Sequence, residues 1–143
     1  MYLVDTNAIS ALSPIARSRN AAVAGWLEQQ SANLFLSVVT IAEIEDGVAK
    51  LRREGAVRKA DGIAGWLESV LHLYGNRILA VGLACARMAG KLNDHARGLG
   101  FSPVLADILI AGTAKQNGLT VVTRNTKDFE RLEVPVFDPW LHL

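Results

Sequence analysis

Short apolar runs separated by longer stretches of helical periodicity constrain this chain more than any other feature of its sequence. The runs are Tyr2-Leu3-Val4, Leu34-Phe35-Leu36, Ile78-Leu79-Ala80-Val81, Thr120-Val121-Val122-Thr123 and Val134-Pro135-Val136-Phe137. Each is too short for a stable helix and too continuously apolar for a half-exposed strand, so each reads as a strand covered on both faces. Pro135 places the last run at a sheet edge, because proline has no N–H to give to a ladder. Between the runs, residues 6–12 look helical until Ser13-Pro14 interrupts them, and Asn20 is placed to cap a helix carrying Val23, Trp26 and Leu27. A further helix is expected over 37–53, closed by Gly55. Residues 56–74 carry Ala60, Ile63, Leu67, Val70, Leu71 and Tyr74 at helical spacing. Residues 83–97 align Cys85, Met88, Ala89, Leu92 and Ala96 in one stripe, and Pro103 opens a last long helix ending at Asn117-Gly118. Strands alternating with helices predict an α/β fold, a three-layer α/β/α sandwich with a central, mostly parallel sheet. With no linker, repeat or low-complexity tract, residues 1–143 read as a single domain.

Composition removes several classes of function. The single cysteine, Cys85, can form neither an internal disulfide nor a cysteine-rich zinc site. The opening Met1-Tyr2-Leu3-Val4-Asp5 has no signal-peptide character. No apolar run approaches the ~18 residues that cross a bilayer, so no membrane association and a cytoplasmic location are expected. A net charge of +1 is not that of a protein that coats nucleic acid. Locally, however, Lys50, Arg52, Arg53, Arg58 and Lys59 lie close together. They form either a solvated helix end or a phosphate-contacting rim.

In parallel sheets covered by helices, the functional cleft lies beyond the carboxyl ends of the strands. Acids recur at those places. Asp5 ends the first strand, and Glu43 lies early in the helix after the second. Asp107 lies early in the helix leading into the fourth, and Asn125 and Asp128 follow that strand. Most have a plain structural alternative. Asp5 can cap the helix starting at Thr6, Thr40-x-x-Glu43 fits a capping box, and Asn125 to Asp128 fits a helix start with an acid in its first turn. Asp107 does not, because it sits within Val104-Leu105-Ala106 and Ile108-Leu109-Ile110-Ala111, where a carboxylate is costly unless paired or metal-bound. Several acids brought together repel one another and need a divalent cation. Oxygen donors without histidine or cysteine suit Mg²⁺, for which Mn²⁺ can substitute, and such sites act on phosphates. The chemistry inferred is phosphodiester hydrolysis. His72, His95 and His142 follow no strand and receive no catalytic role.

Four segments resemble the motifs of PIN-domain ribonuclease toxins of the VapC type, especially the FitB-like branch. They are Met1 to Ser10, Ser37 to Gly47, Ala106 to Ala111 and Gly118 to Asn125, in the family's order and spanning almost the whole chain. The resemblance implies a PIN-like fold and an endoribonuclease that cuts structured RNA such as tRNA or rRNA. It implies the toxin of a type II toxin–antitoxin pair: a homodimer neutralised by a cognate antitoxin, with DNA contacted only through that antitoxin. By motif position, Asp5, Glu43 and Asp107 are the core acids, Asp5 and Asp107 the metal ligands, and Thr6 and Thr123 their hydroxyl supports. Many relatives place a fourth acid where this chain has Asn125. Asp128, one turn on, is the residue that can restore the charge, and one Mg²⁺ is expected.

Two rivals remain at this point. A phosphatase of the haloacid-dehalogenase type also opens on a strand ending in aspartate, but it needs an acid two residues later, where this chain has Asn7. A PIN-fold module that binds RNA or protein without cutting would be expected to lose core acids. Trp26 and Trp66 lie at core spacing on their helices, and Trp66 can alternatively line a groove for an antitoxin helix.

Overall fold

The computed structural model describes residues 1–143. Five parallel strands form one sheet in the order β3-β2-β1-β4-β5. They are β1 (Tyr2–Val4), β2 (Leu34–Ser37), β3 (Ile78–Leu79), β4 (Thr120–Val122) and β5 (Val136–Phe137). The helices are α1 (Thr6–Ile9), α2 (Ala21–Gln29), α3 (Val38–Arg53), α4 (Val57–Tyr74), α5 (Leu83–Gly98), α6 (Leu105–Asn117), α7 (Thr126–Arg131) and α8 (Pro139–His142). No helix is long and apolar enough to cross a membrane.

Alternation along the central strands divides the interior in two. Val4 and Val122 face a cluster completed by Ile9, Leu27, Leu67 and Tyr74, from α1, α2 and α4. Their neighbours Leu3 and Val121 face the opposite cluster, with Leu92, Ile110 and Phe129 from α5, α6 and α7. One residue of register thus separates the two faces, and a slip would exchange them. This is the expected three-layer arrangement. Trp26 packs as its spacing predicts, with ring centroids 5.3 Å from Tyr2 and 5.0 Å from Phe137. Pro135 precedes the edge strand β5, whose ladder to β4 pairs Val121 with Val136.

Several boundaries differ from expectation for identifiable reasons. The first helix stops at Ile9 and tightens into a 3-10 turn over Ser10–Leu12 before Ser13-Pro14. The third strand keeps only Ile78–Leu79, the length over which β2 offers partners Leu36 and Ser37. Pro103 does not open α6. The helix starts at Leu105 after an extended Val104, so the proline shapes the approach. Asn20 sits at the start of α2 but makes no capping bond. Its side chain instead donates to the Ala16 carbonyl (2.8 Å) and accepts from the Trp140 indole (2.9 Å). Gly118 closes α6 in the left-handed region (φ +63°), as its position predicted.

Candidate active site

Because all the strands run the same way, the segments after β1, β2 and β4 and the start of α6 meet at one end of the sheet. Asp5 is the centre of that end. It is buried, and its backbone N–H continues the sheet by donating to the Val122 carbonyl (2.9 Å). Its carboxylate is held on both oxygens. Oδ1 accepts from the Thr6 backbone N–H (2.8 Å), and Oδ2 accepts from the Thr123 hydroxyl (2.8 Å) and the Asn7 amide (3.0 Å). The capping alternative is therefore also true, since Asp5 starts α1 while it anchors the site. Burial pushes its pKa upward against those hydrogen bonds, and the Glu43 charge adds to the rise.

The capping-box reading of Glu43 fails. Ser37 starts α3, its hydroxyl accepting from the Val39 N–H (3.0 Å), so Thr40 already lies inside the helix. Glu43 is left free to point across to α1, where Oε1 accepts from the Thr6 hydroxyl (2.6 Å). That hydroxyl also lies 3.1 Å from the buried Thr40 Oγ1. Thr6 and Thr123 thus both act as hydroxyl supports, one for Glu43 and one for Asp5.

Asp107 has no hydrogen-bond or ion-pair partner. The helix around it is less enclosed than its apolar sequence suggests, for Val104 and Leu105 are exposed and Asp107 itself is half-buried. Its pKa is nevertheless raised to about 6, first by desolvation and then by the charges of Asp5, Asp128 and Glu43. The positive end of α6 favours the charged form of a first-turn acid, but desolvation and three like charges outweigh it. Four carboxylates from distant parts of the chain therefore share one electrostatic environment, and no cationic side chain lowers Asp107. Asp128 belongs to this set, its Oδ2 held by the Asn125 amide (2.9 Å).

Sequence reasoning missed the second task of Asn7. Its amide donates to Asp5 and to Thr123 (3.2 Å), and its oxygen accepts from the Arg124 backbone N–H (3.1 Å). It laces the segment after β1 to the segment after β4. The only signal was its place two residues after the strand-ending acid. The histidines stay away, with His95 against Glu133 and His142 against the Phe137 ring.

This donor set consists of oxygen atoms alone, and it carries repulsion that the chain does not offset. It fits a hard divalent ion. No three histidine, cysteine, aspartate or glutamate side chains converge closely enough to cage a metal by themselves. Magnesium has little need of a cage, because it keeps several waters and uses one or two carboxylates. Asp107, with both oxygens unengaged, and Asp5 fit that requirement.

Beside the acids, a groove of about 360 Å³ runs from Thr6 and Glu43 between α3 and α4, past Ile15, Leu51 and Trp66. Trp66 is half-buried: it packs against the core cluster, as its spacing predicts, and also lines the groove. The basic cluster divides. Arg52 pairs with Asp61 (2.6 Å), Lys50 and Lys59 line the groove, and Arg53 and Arg58 are exposed.

A model of the family described as PIN domain matches residues 2–135. Toxin FitB of Neisseria gonorrhoeae is 37% identical over 142 residues, covering 98% of this chain and 99% of that protein. VapC ribonuclease Y4jK of Sinorhizobium fredii is 32% identical over 145 residues, covering 98% of each. Among solved structures, that of FitAcB from Neisseria gonorrhoeae superposes with a TM-score of 0.87 at 38% identity, covering 100% of both chains.

Proposed function

The chain belongs to the PIN-domain family, and from that premise we propose that it is a magnesium-dependent endoribonuclease, the toxin of a type II toxin–antitoxin pair. The observation that carries this reading is Asp107, a carboxylate without a partner whose proton affinity is raised by desolvation and then by three other carboxylates. A fold gains nothing from such a cluster. A phosphodiesterase does, because a cation drawn there brings the substrate phosphate with it.

Asp5 and Asp107 hold the ion. When bound, magnesium supplies the positive charge that offsets the carboxylates and the scissile phosphate, and the Lewis acidity that activates water. Thr123 and Asn7 fix Asp5, so the anchor does not reorganise during the reaction. Glu43 is exposed, is oriented by Thr6 through Oε1, and has Oε2 free to take the proton of the attacking water. Asp128, steadied by Asn125, supplies the charge that Asn125 does not. The substrate is a structured RNA such as tRNA or rRNA in the cytoplasm, with Lys50 and Lys59 meeting its phosphates along the groove.

The same groove seats an antitoxin helix, with Trp66 and Ile15 as apolar contacts. A segment lying there covers Glu43 and closes the site. DNA is contacted through the antitoxin. The active form is a homodimer of single-domain subunits. Val38, Leu83, Val104 and Leu105 support this: all are exposed, and they start three helices at the catalytic end of the sheet.

The test is cleavage of tRNA and rRNA by the purified chain, with magnesium and with a chelator, together with growth on expressing the chain alone. Cleavage that stops with the chelator, and growth arrest relieved by Glu43→Gln, are expected. Equal cleavage under both conditions, or arrest that persists in the Glu43 variant, contradicts the proposal.

A further inference from the structure

Resting on the nuclease reading, we infer that Arg124 is a substrate-binding residue that grips a phosphate flanking the scissile one on the β4 side of the site. Arg124 directly follows Thr123, whose hydroxyl holds Asp5, and its own backbone N–H is bound by Asn7 (3.1 Å). Its backbone is therefore fixed to the same brace that fixes the acid. Its side chain is exposed. The guanidinium carbon lies 3.9 Å from the Trp140 ring centroid. Trp140 is held in turn, its indole N–H donating to Asn20 (2.9 Å) and its backbone N–H to Asp138 (2.8 Å).

A guanidinium stacked on an indole loses side-chain freedom while its in-plane N–H groups stay available, which suits bidentate contact with phosphate. Arg124 forms no ion pair with any carboxylate. Sheet order supplies the direction. Asp5 ends the central strand, with Glu43 and the lysine-lined groove on the β2 side and Arg124 on the β4 side. A polynucleotide crossing Asp5 from one neighbouring strand to the other meets cations on both flanks. An acidic protein segment is the competing occupant, but the bracing of Arg124 through Asn7 to the acid at the centre of the nuclease site favours RNA.

The test is binding of a fluorescein-labelled single-stranded RNA of about 20 nucleotides by anisotropy, in chelator, across ~50 to ~200 mM KCl. Arg124→Ala is expected to raise Kd about tenfold at the lowest salt. It should also make the plot of log Kd against log salt shallower by about 0.7, one phosphate contact on a single strand. Arg124→Lys should restore the slope but not the whole affinity. An unchanged slope in Arg124→Ala overturns the inference while leaving the nuclease reading intact, and an unchanged slope with a lowered Tm assigns Arg124 a packing role. Loss confined to a labelled hexaglutamate peptide, with RNA binding unaltered, assigns the guanidinium to a protein partner and also overturns it. Absence of binding by the unmodified chain, to this RNA and to tRNA and with magnesium as well as with chelator, overturns this inference and the nuclease reading together.

Discussion

Helix α6 carries two contrasting environments about a turn and a half apart. At Gly112 the helix is pressed against α5. A Cβ there would stand 3.2 Å from the Cys85 carbonyl oxygen and 3.4 Å from the Ala89 Cβ. Around it the polar groups are satisfied: the Thr113 hydroxyl donates to the Leu109 carbonyl (2.8 Å), and the Cys85 thiol lies 3.3 Å from that hydroxyl. At Asp107 the same helix presents a carboxylate that nothing in the chain accommodates. The difference shows how a small fold tolerates an unfavourable charge. Close packing along one part of a rigid element holds the other part where relaxation would otherwise move it. Conformational stability and chemical readiness are thus placed on one helix without sharing residues.

The comparison can be broken most directly at the charged end. Asp107→Asn is expected to lower RNA cleavage by at least about a thousandfold. The same variant is expected to melt at a higher temperature than the parent in chelator at neutral pH, because it removes the repelled charge. Retained turnover, or a lower chelator Tm, would place the contrast wrongly. Asp5→Asn and Asp128→Asn sharpen it next. The first should cost cleavage on the order of a hundredfold and the second about tenfold, since Asp5 anchors the site while Asp128 is held by a single amide. The reverse ranking in single-turnover assays would move the centre of the site to α7.

The packed end comes third. Gly112→Leu forces a branched side chain against the Cys85 carbonyl and should cost about 1–3 kcal/mol of stability in denaturant titrations. No loss would mean that α5 and α6 are not in close contact. The smallest effect is on pH. In the unfolded chain the Asp107 carboxyl releases its proton near pH 3.8, whereas in the folded chain it holds it to about 6. Between those values the unfolded state gives up the proton first. This contribution to stability is therefore complete below about 3.8 and lost as pH rises through about 6. Metal-free protein should show that decline in Tm across the window, and Asp107→Asn should reduce it.

Much of this molecule could be read from its residues alone, and the reasons divide along one physical line. Strands were legible because burial on both faces leaves continuous apolar runs such as Leu34-Phe35-Leu36. The acids were legible because a parallel sheet has one functional end, so Asp5, Glu43, Asp107 and Asp128 could be placed by position relative to strands. What stayed hidden depended on partners far along the chain. Asn7 looked like an argument against a phosphatase, and two of its three bonds required Thr123 and Arg124, 116 and 117 positions away. Asn20 read as a cap because capping is local, yet Trp140, 120 positions on, competes for its oxygen. The capping box at Thr40 and Glu43 failed for the opposite reason, since Ser37 had already started the helix. Trp66 could not be resolved between core and groove from its spacing, because one ring serves both, packing on the core cluster and lining the groove.

The lacing of Asp5 to Thr123, 118 positions later, bears on how such a protein is made. On the ribosome the first acid emerges 118 positions before its clamp, so the two meet only once β4 has been made. Until then the nascent polypeptide has no organised acid cluster. A message broken before that point yields a fragment in which Asp5 has lost the hydroxyl that clamps it.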